Sequence, residues 1–305
     1  MRGIGCLLAS LAMLGSAACL GTPVHAANQA VSQATIETVQ MPAWLERNGR
    51  TQPLAVGMEV QNGDRIRTGD QARAYLQLAE GSTVKLGENA TLGFYSRSLK
   101  PDRIFKGALD VLKGAFRFTT NALQRTRTQR DLAIRVGTAT AGIRGTDVWG
   151  KSNAERDLIL LIEGKIEIKH AGSTLELDQP QVYFSAPRNA PAQLRQVDPD
   201  DLRQWARETE ILPGDGAMQR GGKWRVLLAR VGSQREALAV YDAARQAGYA
   251  AQVKVREAKQ GRLEKSDQWE YEVVLVQLPS QQEAAVVAQK IKTQLSLEAI
   301  PENKP

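Results

Sequence analysis

The sequence predicts an all-β domain over residues 35–187 followed by an α+β, ferredoxin-like domain over 223–300. Three observations carry this expectation. Residues from Thr35 to Pro187 alternate apolar and polar side chains in short runs, the period of half-buried strands. Glycines at 57, 63, 69, 81 and 87 cut those runs at turn intervals. After Lys223 the pattern changes to strand, helix, strand, strand, helix, with both helices opening on Ser-x-x-Glu.

The elements follow in order. Met1 to Ala26 has a cationic start at Arg2, an apolar stretch from Ile4 to Leu20, and Val24 and Ala26 at the spacing of a signal-peptidase site. It is read as a cleaved secretory signal, which places the mature chain in the periplasm. A retained anchor and lipidation at Cys19 are the alternatives. Cys6 and Cys19 both lie in this segment, so the mature chain is expected to have no thiol chemistry.

In the β region, "ARAYLQL" sets Ala74, Leu76 and Leu78 against Arg73, Tyr75 and Gln77. "RDLILLIEGKIEIKH" reads as a fully apolar strand, a turn at Glu163-Gly164, and an alternating strand. Thr120 to Arg127 is left open between helix and other structure. Residues 188–222 read as a linker with a short helix: Asp198 caps it, Pro199 suits its first position, and Pro213-Gly214 ends it. "GDGAMQRGG" reads as flexible. Then "WRVLLARV" is a strand, Ser233 and Gly248 bound a helix, "YAAQVKV" and "QWEYEVVLVQL" are strands, and Ser280 opens the last helix. A final strand is expected near Ala299-Ile300.

Charge narrows the function classes. The formal net charge is +7, and ten Lys and Arg face three acids between Arg97 and Arg135. For an exported chain this fits a solvated face or an anionic envelope polymer, and no nucleic-acid partner is expected. No later run is apolar enough for a membrane span. Only His25 and His170 occur, so neither a catalytic triad nor a Cys/His zinc site is expected. His170 is read as an exposed turn residue. No phosphate-binding or dinucleotide loop appears, and no cofactor or metal is expected. The expectation is a non-enzymatic protein.

One stretch stands out: "ATAGIRGTDVWG". Gly142 and Gly145 are expected to supply turn conformations, with Arg144 between them bonding backbone carbonyls and Asp147 or another carboxylate neutralising it. Gly142, Arg144, Gly145 and Thr146 are therefore read as a structural motif, with external anion binding as the alternative. This motif, together with "GMEVQNGDRIRTGDQARAYLQLAEGSTVKLGENATL" and "GAFRF", resembles the FecR periplasmic domain, although Ala139 stands where that family usually has proline. The resemblance implies family and fold, not activity.

Residues from Lys223 to about Leu297 resemble the SPOR domain, whose members bind peptidoglycan glycan strands. Leu227, Ala229 and Val231 replace residues usual in its first strand. On the sheet face away from the helices, alternation places Arg225, Leu227 and Ala229 beside Glu270, Glu272, Val274 and Val276. Arg225, Glu272 and Trp269 are the candidate glycan contacts. A cross-strand ion pair of Arg225 with Glu272, and Trp269 merely covering the sheet edge, are the alternatives. The leading expectation is an exported envelope protein that binds peptidoglycan glycan strands through the second domain and an envelope protein or anionic polymer through the first. The alternative is a FecR-type periplasmic signalling regulator.

Overall fold

Turn residues close the alternating segments into eight strands before residue 98: β1 (Ala34–Gln40), β2 (Ala43–Arg47), β3 (Arg50–Pro53), β4 (Glu59–Val60), β5 (Arg65–Thr68), β6 (Arg73–Leu78), β7 (Thr83–Leu86) and β8 (Thr91–Arg97). The long β9 (Ile104–Thr119) follows, then β10 (Gln129–Val136), β11 (Ala139–Ile143), β12 (Asp147–Ser152) and β13 (Arg156–Glu163). β14 (Ile166–His170), β15 (Ser173–Leu177), β16 (Val182–Pro187) and β17 (Gln193–Gln196) complete the region. This is a computed structural model that describes residues 34–97, 104–120, 129–143, 145–257 and 269–303. The signal segment, both cysteines, Arg144 and all of the open stretch Thr120 to Arg127 except Thr120 lie outside the described residues.

The strands form two layers. One runs β1, β6, β7, the second half of β9, β12, β13, β16, β17. The other runs β3, β2, β5, β8, the first half of β9, β10, β11, β14, β15. Pairing is antiparallel except between β9 and β10. β9 crosses from one layer to the other at Gly114, where φ is +85° and a Cβ would sit 2.5 Å from Ala90. A side chain is excluded there twice over, by backbone conformation and by space. Ile36, Leu76, Val84, Phe116 and Phe118 from the first layer share one core with Leu45, Ile66, Phe94, Leu109 and Ile134 from the second. The apolar run in β13 is buried on both faces. Ile159 and Leu161 join that core, while Leu158 and Leu160 join a smaller cluster with Trp149 and Val197.

Helix α1 (Pro199–Thr209) begins as its sequence requires, the Asp198 carboxylate accepting from the Asp200 N–H at 2.8 Å. The region around it is not a free linker. β17 pairs with β16, and Ala217–Gln219 forms β18 against β1. The expected flexible "GDGAMQRGG" is thus partly a strand, because Gly214, Gly216 and Ala217 donate their N–H groups to the Glu283 carboxylate. A charge-assisted bond to each of three amides holds the glycine turn in one conformation.

The remaining elements are β19 (Trp224–Val231), α2 (Gln234–Gln246), β20 (Gln252–Glu257), β21 (Trp269–Leu278), α3 (Gln281–Leu295) and β22 (Ile300–Asn303). The antiparallel sheet runs β20, β21, β19, β22. Ser233 and Ser280 accept from the N–H groups of Glu236 and Glu283, as the helix-start pattern demands. Val226, Leu228, Val273 and Leu275 face the helices. Val31 to Pro305 forms one compact unit.

Candidate functional site

The glycine–arginine motif sits where β11 gives way to β12. Only one of its glycines is a turn residue. Gly145 has φ +68° and open space where a Cβ would lie. Gly142 is inside β11 without a positive φ, and a Cβ would meet only the Glu167 carbonyl, at 3.8 Å. The expectation that both glycines serve the turn is corrected for Gly142, whose position any small residue could take. Thr146 is buried, and its backbone is tied to the end of β9. Its N–H donates to the Thr120 hydroxyl at 3.2 Å, and its carbonyl accepts from the Thr120 N–H at 3.0 Å. Asp147 is engaged by Arg117 in a fork of 3.0 and 2.8 Å.

That fork is one of four among the described residues of the β region. Arg47 holds Asp64 at 2.8 and 2.6 Å, Arg135 holds Asp110, and Arg188 holds Asp157 at 2.6 and 2.8 Å. Planar guanidinium matched to planar carboxylate gives two parallel bonds and a fixed orientation. Asp157 is 0 % exposed and also accepts from the Thr138 N–H and hydroxyl and the Ser152 hydroxyl. Burial pushes its pKa up. Bonds from Arg188, Thr138 and Ser152 outweigh that and hold it below the ordinary aspartate value. Arg117 and Arg135, from the basic run at 97–135, are thereby committed to neighbours within the fold.

Helix α1 lies against an outer face built from the same chemistry. Trp205 stacks on Trp149 with centroids 4.9 Å apart, and Tyr183 meets it edge-on. Glu210 accepts from Lys85 at 2.8 Å and from Arg117 at 3.1 Å, and Lys151 donates to Glu208 at 2.9 Å. Arg73 donates to the carbonyls of Arg207 and Glu208, which the helix end leaves without partners. Burial, above all, pushes the pKa of Tyr75 up and keeps its hydroxyl protonated, and that hydroxyl donates to Glu210 and accepts from the Ile211 N–H.

In the β20–β21–β19–β22 sheet, the structure brings Arg225 and Glu272 together and takes both out of solvent, at 3 % and 1 % exposure. Arg225 donates to Glu272 at 2.9 Å and to Glu302 at 2.6 Å. Arg230 donates to Glu272 at 3.1 and 2.9 Å, and Arg256 lies 3.2 Å from the same carboxylate. The cross-strand ion pair is therefore present, enlarged to a cluster on which the sequence reading missed Arg230, Arg256 and Glu302. A bulge between Leu227 and Ala229 explains the miss. It packs Ala229 against the core and sets Arg230 opposite Glu272. Burial works against ionised Glu272, but Arg230 and Arg225 hold it below the ordinary glutamate value. Leu227 and Val274 are also buried, so they offer no exposed apolar strip. Trp269 is separate from the cluster and 49 % exposed at the start of β21, opposite Glu257 of edge strand β20.

His170 ends β14 half-buried, edge-on to Phe184 and 3.4 Å from the Thr138 hydroxyl, rather than free in a turn. Among the described residues, no three His, Cys, Asp or Glu side chains are grouped to hold a metal. Nor is any helix there long and apolar enough to cross a membrane.

Residues 64–167, from the start of β5 into β14, match the family model described as FecR protein. This segment is a FecR domain. The span contains the Gly145 turn, the aspartates of all four forks described above and the sheet-crossing strand β9. No curated protein matches the chain. Two crystal structures resemble it, each of a protein provisionally described as an anti-sigma factor from Parabacteroides distasonis ATCC 8503. The 1.65 Å structure is 16 % identical over 47 % of this chain and 64 % of its own length, with a TM-score of 0.38. This chain thus spans about 64 % of that protein. The 2.50 Å structure is 14 % identical over 76 % of this chain and 91 % of its own, also at 0.38. Scores of this size do not establish a shared fold.

Proposed function

We propose that the chain is a FecR-type regulatory protein of the cell envelope, periplasmic and non-enzymatic, that works by binding a protein partner. The FecR domain at residues 64–167 carries this reading. The geometry around it supports binding over chemistry, because the buried aspartates are occupied by arginine forks. The strap through α1, β18 and the Glu283 clasp joins the FecR domain to the C-terminal one. A partner on either domain then acts on one body. Regulation stands ahead of glycan binding, since Arg225 and Glu272 already satisfy one another.

The test is transcript profiling of a strain lacking the chain, complemented with wild type. A restricted set of genes sharing one promoter class should change and be restored. An unchanged transcriptome under envelope stress and iron limitation would sink the regulatory reading.

A second reading has one observation in its favour. Read as a SPOR-type ferredoxin-like domain, the β20–β21–β19–β22 sheet exposes Trp269 at its end, where an aromatic ring could stack on a sugar. Retention of the Trp269→Ala variant on peptidoglycan sacculi stripped of stem peptides, compared with wild type, tests it. Equal retention would remove it.

A further inference from the structure

A cleft opens between the β2–β3 hairpin of the first domain and α2 of the second. It has two adjoining lobes that share Pro53 and Arg245. One, of about 520 Å³, is mainly apolar: Met58, Leu238, Ala250 and Val253 line it, and Leu238 is 41 % exposed there. The other, of about 480 Å³, is lined by Trp44, Thr51, Arg67, Asp242, Arg245 and Gln246. Volumes of this size suit a short stretch of peptide.

Two guanidinium groups in the cleft rest on aromatic rings. Arg67 lies 5.3 Å from the Trp44 centroid and Arg245 lies 5.1 Å from that of Tyr241. Stacking holds a guanidinium flat and leaves its edge donors available, so less freedom is lost when a carboxylate arrives. Arg67 shares the single carboxylate of Glu46 with Arg65, and Arg245 forms no ion pair among the described residues. Among the described residues that line the polar lobe, Asp242 is the one acid against Arg67 and Arg245, so positive charge remains in excess.

We propose that this cleft binds an acidic peptide segment of a protein partner, with a carboxylate on Arg245 and a neighbouring apolar side chain against Leu238 and Met58. The inference deepens the partner-binding reading and rests on it. It is tested on purified protein rather than on transcription, so either can fail alone.

The probe is a fluorescein-labelled hexapeptide of alternating leucine and glutamate, followed by fluorescence anisotropy on the full mature chain. Wild type should bind it, more weakly as salt rises, and should bind the leucine–glutamine counterpart at least tenfold less well. Arg245→Ala and Leu238→Glu, both at solvent-facing positions, should each weaken binding at least tenfold with unchanged circular dichroism. No binding by wild type, or equal binding by both variants, overturns the proposal. Displacement by millimolar inorganic phosphate as effective as by unlabelled peptide would assign the cleft to small anions and overturn it too.

Discussion

Arginine and carboxylate are used in two ways in this molecule. In the FecR region they come as separate forks, each joining one arginine to one aspartate near a strand end or turn. In the C-terminal sheet they come as a shared cluster, with three arginines converging on Glu272 and Glu302 of β22 bridging two of them. Among the described fork arginines, only Arg117 reaches a second carboxylate, Glu210, if its aspartate is lost. In the cluster, Arg230 and Arg225 still have Glu302, so the charge can redistribute. The same residue types thus fasten turns in one region and fill a sheet face in the other.

The largest expected effect lies at the fork whose aspartate is most deeply buried. Asp157→Ala should lower unfolding free energy by about 3–5 kcal/mol, because it leaves Arg188 and the Thr138 and Ser152 groups without their partner. Urea unfolding gives the value, and a loss below about 1 kcal/mol would show that forks too can redistribute. Next comes the strap. Trp205→Ala removes the ring stacked on Trp149 and should cost about 2–3 kcal/mol, less than a fully buried tryptophan because the helix is half-exposed. Exposure of Trp149, read from its fluorescence, should accompany that loss.

Acid sharpens the comparison further. Asp157 and Glu272 both titrate below their ordinary values of 3.8 and 4.5 in the folded chain. Their contribution is therefore complete above those ordinary values and is lost as pH falls through the lower folded ones. Stability should hold from neutrality to about pH 5 and then decline. The Asp157→Asn variant, measured by the same urea titration, should show a shallower acid decline than wild type. An unaltered slope would mean that Asp157 is not held below its ordinary value.

The smallest effects separate the two glycines of the motif. Gly145→Ala should destabilise by about 1 kcal/mol through its positive φ, whereas Gly142→Ala should stay within about 0.5 kcal/mol. Thermal denaturation of the pair decides it, and equal losses would restore the symmetric view of the turn.

Much of the scaffold was legible because it obeys local rules. Alternation alone buried Ala74, Leu76 and Leu78, and the caps at Asp198, Ser233 and Ser280 formed where short polar side chains precede helices. What escaped depends on pairing with distant residues. The bulge before Ala229 is set by β21, and it alone brings Arg230 to the cluster. The crossing at Gly114 needs Ala90 beside it. Glu283 reads as a helix-start residue, yet its carboxylate is spent on Gly214, Gly216 and Ala217, more than sixty residues earlier. Arg117 reaches Asp147 from the neighbouring strand β9, a partner that local sequence does not point to.

The central claim is that Arg225 and Glu272 hold the C-terminal domain together and do not grip a ligand. The most direct measurement pairs the melting temperature of the Arg225→Ala/Glu272→Ala double variant with its retention on stripped peptidoglycan sacculi. The account predicts a melting temperature several degrees lower, since removing a buried pair costs about 1–3 kcal/mol, with retention per folded molecule equal to wild type. An unchanged melting temperature together with lost retention would contradict it.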